Sequence, residues 1–150
     1  MKQVKKSVLY RMFGIAAVPR KLLPFLKQED IVVSDEGMKG WFITKNVKAP
    51  GKRYHHRREG FLSWLVVTRE RILCYTYWKR QINISIKDPK ISELCFSVPN
   101  DETLSISFES SVFRDGWNGI IELRFQTEKA LEFFNALQKT GAQQGVPADV

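Results

Sequence analysis

The sequence predicts a mainly β protein, in which about seven antiparallel strands form a partly open barrel capped by one C-terminal helix. Apolar and polar side chains alternate in three separate segments, and two nearly continuous apolar runs precede them. An amphipathic segment follows the last alternation. Because successive side chains of a strand point to opposite faces, alternation is typical of strands with one buried face. A chain of 150 residues is long enough for one substantial core.

The predicted strands follow one another with turn signals between them. They cover residues 40–47, 61–68, 71–78, 81–87, 91–98, 104–109 and 121–125. The second and third are rich in aromatic and β-branched residues, which favours strands covered on both faces. Arg69 and Glu70 form a tight polar link between these two. Residues 99–101 predict a turn, and Asp-Gly and Asn-Gly pairs within 114–119 predict a hairpin loop around Trp117.

The final helix has a start, an apolar face and a stop. Thr127 is its predicted N-cap, and Gly141 follows the last periodic residue. The apolar stripe is Ala130, Phe133, Phe134 and Leu137. Helical spacing of these residues indicates a helix that docks over the open end of the barrel. We therefore expect a domain over residues 29–141 and a flexible tail over 142–150.

This order of elements resembles the pleckstrin-homology (PH) superfold, including GRAM and bacterial PH-like domains. The most similar stretch is residues 60–75, GFLSWLVVTRERILCY, in which Gly60, Thr68, Arg71 and Ile72 occupy the positions of the GRAM and bacterial PH pattern. A second similar region, 119–137, is a strand that runs into a helix with paired phenylalanines. As an order of elements, the resemblance covers about residues 38–139.

The resemblance implies a non-enzymatic binding module without a cofactor. PH-like domains typically engage phosphoinositides, acidic membrane surfaces or protein partners. Phosphoinositide-binding members carry a Lys/Arg-x-Arg element in the second strand. The predicted second strand, residues 61–68, contains no basic residue. Specific inositol-phosphate recognition is therefore not carried over to this chain.

Charge is distributed very unevenly along the chain. Residues 1–90 contain 20 Lys and Arg against 7 Asp and Glu, a net charge of +13, whereas residues 91–150 have a net charge of −5. One basic cluster is predicted to lie on a loop around Pro50 and Gly51 between the first two strands. It consists of Lys45, Lys48, Lys52, Arg53, Arg57 and Arg58. Such a loop attracts phosphates, although a solvated loop tip explains the same charge.

The other basic cluster lies in residues 1–28, where lysines and arginines mix with apolar residues. Val4, Val8, Met12 and Ile15 fall on one face of a predicted amphipathic helix. Such a helix lies in a membrane interface or packs on the barrel or on a second subunit. Pro19 breaks the helix before it reaches spanning length. The predicted membrane or partner contacts are Lys5, Lys6, Arg11, Arg20 and Lys21, together with Trp117, whose ring either anchors in a membrane or partner or folds back over the barrel mouth.

Signals for catalysis or metal binding are weak. His55 and His56 are adjacent, so on an extended segment they point apart and do not suit one metal ion. Cys74 and Cys95 lie among apolar neighbours, which indicates core or near-core thiols. No phosphate-binding glycine loop, nucleophile elbow or His-Glu-x-x-His helix occurs. We expect no catalytic residue, no metal and no cofactor.

The expected function is peripheral association of a cytoplasmic protein with anionic phospholipid at the inner face of a membrane. The alternative is a protein-interaction or self-association module that does not bind lipid. Nucleic acid is disfavoured because few aromatic residues interleave with the arginines to stack bases. An apolar ligand inside a closed barrel is disfavoured because Phe61, Phe108 and Phe125 would fill it.

Overall fold

The computed structural model describes Val4 and residues 6–145, and 52% of the described residues lie in strands. The helices are α1 (Val8–Phe13), α2 (Leu23–Gln28) and α3 (Ala130–Gln138). The strands are β1 (Ile31–Ala49), β2 (Lys52–Thr68), β3 (Arg71–Thr76), β4 (Lys79–Ser85), β5 (Cys95–Asn100), β6 (Thr103–Glu109), β7 (Asn118–Gln126) and β8 (Gln143–Gln144).

All eight strands belong to one sheet, which curls into an open half-barrel in the order β4-β3-β2-β1-β7-β6-β5-β8. Neighbours from β4 to β5 are antiparallel, and β8 pairs in parallel with β5. The prediction of a mainly β fold with one C-terminal helix is confirmed. Each of the seven predicted strands has a counterpart, and β8 makes the number eight.

The first two strands are much longer than the sequence indicated. β1 begins at Ile31, whereas the prediction began at residue 40, and β2 begins at Lys52, whereas the prediction began at residue 61. Both extensions are polar on at least one face, so hydrophobic alternation did not reveal them. Gly37, with φ +63°, lies in a register shift of β1 that lets the long strand bend.

Two other strand boundaries differ from the prediction. Residues 89–93 form a 3₁₀ helix, Pro89–Glu93, and β5 starts only at Cys95, so the predicted strand 91–98 began too early. The Asp88 side chain accepts a hydrogen bond from the Lys90 backbone N–H at 2.9 Å and so favours the turn. β3 ends at Thr76, and the predicted last residues of that strand, Tyr77 and Trp78, form a turn.

The main core lies on the concave face of the sheet and is closed by α3. Phe133 of α3 is fully buried there, and Phe134 packs edge-on against Phe96 with ring centroids 5.3 Å apart. The N-cap of α3 is Lys129 and not the predicted Thr127, whose side chain accepts a hydrogen bond from the Lys129 backbone N–H at 3.0 Å just before the helix begins. The predicted apolar stripe of this helix is therefore the face that docks.

A second, smaller core covers the convex face of β2 and β3. Val18 and Leu26 of the N-terminal segment are buried against Trp64, Val66 and Leu73. The segment therefore packs on the half-barrel, which is one of the arrangements expected from the sequence. A backbone hydrogen bond also joins the segment to β1, since the Gly37 N–H donates to the Ala16 carbonyl at 2.9 Å.

The predicted amphipathic helix through Ile15 is corrected to one that spans only Val8–Phe13. Ser7 caps its start by accepting a hydrogen bond from the Leu9 N–H at 3.2 Å. Gly14 ends it in the left-handed conformation, with φ +66°. Ile15 consequently lies beyond the helix, and Val8 and Met12 are exposed rather than buried.

The tail predicted over residues 142–150 needs correction at its beginning. Gln143 and Gln144 pair with Cys95 and Phe96 at the sheet edge, and Ala142 packs against the main core. The Gln143 N–H donates to the Leu94 carbonyl at 2.7 Å. These bonds tie the chain down as far as residue 145, and residues 146–150 lie outside the described part of the chain.

Candidate binding site at the mouth of the half-barrel

Three connections meet at one end of the half-barrel, which we call the mouth. They are the β1–β2 turn at Pro50 and Gly51, the β3–β4 turn at Tyr77 and Trp78, and the loop of residues 110–117 between β6 and β7. Antiparallel pairing places these connections on the same side of the sheet. Arg114 of the loop reaches Gln81 at the start of β4, so the loop crosses the mouth.

The prediction of a basic loop is wrong. Its residues form the paired ends of β1 and β2. Lys48 pairs with Arg53 and Ala49 with Lys52, which leaves only Pro50 and Gly51 in the turn. Gly51 has φ +75°, a conformation that glycine adopts without strain. The cationic side chains are therefore held on a β-hairpin.

The extended β2 also corrects the statement that the second strand has no basic residue. It carries two adjacent basic pairs, one at Lys52 and Arg53 and one at Arg57 and Arg58. Adjacent side chains of a strand point to opposite faces, so each pair divides between the faces of the hairpin. A Lys/Arg-x-Arg element, which would place both cations on one face, does not occur in this strand.

Three of the six predicted hairpin cations have partners within the protein. The Lys45 ammonium lies 3.5 Å from a carboxylate oxygen of Glu122. The Arg57 Nε donates to Glu59 at 2.7 Å, and the Arg58 guanidinium lies 4.2 Å from the centre of the Trp41 ring. The other three are exposed and form no ion pair with any described residue. They are Lys48, Lys52 and Arg53.

A cavity of about 600 Å³ opens at the mouth. Its aromatic lining comes from four strands or turns and consists of Phe42, Tyr54, Phe61, Tyr77, Trp78 and Trp117. Its polar lining consists of Thr44, Arg57, Glu59, Thr76, Lys79, Gln81 and Arg114. An apolar, concave surface with a few converging polar groups is typical of a small-molecule site.

Arg114 is the most firmly positioned cation of the cavity. It donates a hydrogen bond to Gln81 Oε1, and Gln81 Nε2 donates in turn to Thr76 Oγ1 at 2.8 Å. Its guanidinium lies 4.8 Å from the centre of the Trp117 ring and 5.6 Å from that of Phe42. Burial lowers the pKa of the Arg114 guanidinium from its ordinary value. Sequence reasoning missed this residue, because its partners are distant along the chain.

Trp117 adopts the second of the two positions expected for it, folded back over the mouth. It is partly buried against the main core, and its ring stacks on Tyr54 with centroids 6.3 Å apart. The most exposed tryptophan is Trp78, with 81% of its surface accessible. Trp78 is followed by the exposed Lys79 and Arg80. Because aromatic residues favour strands, the prediction continued β3 through Trp78 and missed the turn at Tyr77 and Trp78.

The N-terminal cluster lies away from the hairpin tip. Lys6 donates to Asp35 at 2.6 Å and to the Glu36 carbonyl, near the start of β1. Asp35 and Lys48 are on the order of 40 Å apart along that strand. Arg11, Arg20 and Lys21 are exposed, and Lys5 lies outside the described residues. The structure therefore does not bring Lys6 together with the hairpin cations.

The two ends of the half-barrel carry opposite charge. The mouth has a net charge of +6. It contains eight Lys and Arg residues and two Asp and Glu residues, in segments 48–60, 77–80 and 110–117. Two basic and six acidic residues lie in the connections at the other end, which are 29–30, 69–70, 101–102 and 127–129. The whole chain has a net charge of +8, and residues 1–28 alone carry +7, so the mouth is not the only source of excess positive charge.

The residues considered for metal binding and redox chemistry lie apart from one another. His55 and His56 are exposed neighbours on β2, and no group of three potential metal ligands occurs among Val4 and residues 6–145. Cys74 is buried and Cys95 is partly buried, as the sequence predicted. Burial raises the pKa of the Cys74 thiol, so this side chain is an unreactive core residue.

No helix in the described part of the chain is both long and apolar enough to cross a membrane. Comparison with known proteins gives no assignment, because no protein-family model matches the chain and no curated protein matches its sequence.

Proposed function

We propose that this chain is a non-enzymatic, PH-like binding module that attaches peripherally to anionic phospholipid at the inner face of a membrane. The observation that carries the proposal is the position of Trp78, which is 81% exposed at the rim of a mouth with net charge +6. Tryptophan favours membrane interfaces because its ring is apolar while its N–H stays hydrogen-bonded. Surrounding cations attract anionic headgroups to the same rim.

The arrangement supports a defined orientation on the membrane. Lys48, Lys52 and Arg53 extend the positive surface along the hairpin, while the acidic connections lie at the opposite end of the strands. An anionic surface attracts the mouth cations and repels the acidic connections, so these two sets of charges favour the same orientation. Each Lys or Arg close to such a surface contributes about 1 kcal/mol.

The test is sedimentation with vesicles of phosphatidylcholine alone and of phosphatidylcholine with phosphatidylserine. We expect binding only to the anionic vesicles, with an affinity that falls as salt rises. Replacing Lys48, Lys52 and Arg53 by glutamate is expected to weaken binding at least about 100-fold. Trp78→Ala is expected to weaken binding about 10-fold without changing its salt dependence.

The matched control replaces the exposed Lys87, Lys90 and Lys139 by glutamate, which makes the same change of charge away from the mouth. This variant should lose much less affinity than the hairpin variant. Equal losses would mean that net charge alone drives binding. Equal binding to neutral and anionic vesicles, or no binding to either, would reject the proposal.

A second candidate function is self-association or docking of a protein partner through the N-terminal segment. The observation in its favour is a set of exposed apolar side chains on α1 and α2. They are Val8, Leu9, Met12, Phe13 and Phe25, each at least 45% exposed. Light scattering of the purified chain distinguishes the two candidates, since a concentration-dependent dimer that Met12→Ser and Phe13→Ser abolish would support self-association.

A further inference from the structure

We propose that the mouth cavity binds a small molecule that combines a flat apolar ring with one carboxylate group, and that this carboxylate pairs with Arg114. The inference goes beyond membrane attachment and does not depend on it. It concerns the interior of the cavity between Phe42, Tyr54 and Trp117, whereas membrane attachment concerns the exposed hairpin and Trp78.

Arg114 is held in place before any ligand arrives. Gln81 and Thr76 are buried, and their hydrogen bond fixes the amide so that its oxygen faces the guanidinium. The rings of Phe42 and Trp117 lie within cation–π distance of the guanidinium and favour this position. A cation fixed in this way loses little conformational entropy when it binds an anion.

Arg114 has no acidic partner among the described residues. Its protein acceptor is the neutral amide of Gln81, whereas Arg57 in the same cavity is paired with Glu59 at 2.7 Å. The cavity lining has three cations and one carboxylate, a net charge of +2. A partly buried guanidinium without a counter-ion is costly, and a ligand anion would remove that cost.

The cavity complements an anionic group attached to a flat ring. Two N–H groups of a guanidinium match two oxygens of a carboxylate or of a phosphate, and glycerol 3-phosphate is the probe that separates these two anions. Most of the remaining wall is aromatic, including the nearly parallel rings of Tyr54 and Trp117. These flat surfaces complement a flat ring, and about 600 Å³ accommodates a molecule of that size.

The test is a titration with 2-naphthoate and with its neutral isostere 2-naphthamide, followed by tryptophan fluorescence and calorimetry. On the unsubstituted chain we expect saturable 1:1 binding of 2-naphthoate, at least about tenfold tighter than that of 2-naphthamide. Arg114→Gln is expected to reduce the affinity for 2-naphthoate to that for the amide and to leave binding of the amide unchanged. The comparison of the two probes requires no variant, so it stands even if Arg114→Gln folds poorly.

The control variant is Arg20→Gln, which removes one positive charge from an exposed position outside the cavity and should leave both affinities unchanged. Equal affinity of the two probes, or no saturable binding of 2-naphthoate, would overturn the inference. Binding of glycerol 3-phosphate as tight as that of 2-naphthoate would also overturn it and assign the cavity to phosphate headgroups. Failure of vesicle binding leaves these outcomes unaffected, so the two proposals are tested separately.

Discussion

At the scale of single residues, contacts distant in sequence decide what a side chain does. The sequence predicted Trp78 at the end of a strand and Trp117 in a loop, but Tyr54 and Arg114 hold Trp117 against the core while Trp78 is left exposed. It could not predict which one is exposed, because burial depends on side chains from other strands.

Gly37 is a point of close approach between the N-terminal segment and the sheet. Its φ is +63°, and a Cβ there would overlap the ring of Tyr10. Gly37→Ala is therefore expected to lower the free energy of unfolding by about 2–4 kcal/mol, from backbone strain together with steric overlap. Urea denaturation followed by circular dichroism measures the loss.

The matched control for this substitution is Gly51→Ala, because Gly51 has φ +75° but no atom within 4 Å of an added Cβ. Backbone strain alone should cost that variant about 1 kcal/mol. Tyr10→Ala combined with Gly37→Ala should recover part of the difference. Equal losses for Gly37→Ala and Gly51→Ala would show that the Tyr10 contact contributes nothing.

At the scale of elements, hydrophobic periodicity predicted those whose apolar face meets the core. It located α3, β4, β6 and β7, because apolar residues repeat along each of them, whereas a continuous apolar run located the second half of β2. It missed the polar half of the β1–β2 hairpin. Backbone pairing holds this half together, from the pair Lys45–His56 to the pair Ala49–Lys52. Backbone hydrogen bonds leave no side-chain pattern in a sequence.

Helix α3 provides a direct test of which face is docked. Phe133 is fully buried, whereas Leu131, two residues earlier, is 58% exposed. Phe133→Ala is expected to cost about 3–5 kcal/mol of unfolding free energy, because it leaves a cavity in the core. Leu131→Ala, the control in the same helix, should change stability by less than about 0.5 kcal/mol. Similar effects of the two substitutions, measured by urea denaturation, would contradict the observed docking.

At the scale of the whole molecule, the fold converts a charge asymmetry along the sequence into one across the structure. The sequence showed that the first 90 residues carry the excess positive charge. Chain topology then collects basic turns at the mouth and acidic connections at the other end. Lys6 does not join the mouth, because Asp35 holds it beside β1.

Acid stability is a whole-molecule property that two glutamates control. The hydrogen bond from Arg71 lowers the pKa of Glu29, although burial acts in the opposite direction. Burial alone would raise the pKa of Glu122, but Arg124, Ser105 and Lys45 lower it on balance. In the unfolded chain each carboxyl returns to its ordinary pKa of 4.5 and so binds more protons than the folded protein below that pH.

The free energy of unfolding should therefore fall as pH decreases through about 4.5 toward the lowered folded values. Glu29→Gln and Glu122→Gln should each reduce the difference in stability between neutral and acidic pH, by on the order of 1 kcal/mol. Urea denaturation at a series of pH values measures this difference, with Glu132→Gln as the control of equal charge change. Unchanged pH dependence in both variants would refute the assignment.

The sequence by itself determined the strand succession, the docking helix, the core thiols and the excess of basic residues in its first part. These features arise from local periodicity and composition, which every stretch of chain carries with it. Only the tertiary structure decided that the basic segment is a hairpin, that Trp78 is exposed and that Arg114 meets Gln81 within an aromatic cavity. Such features depend on which distant strands become neighbours, and packing of the whole chain determines this.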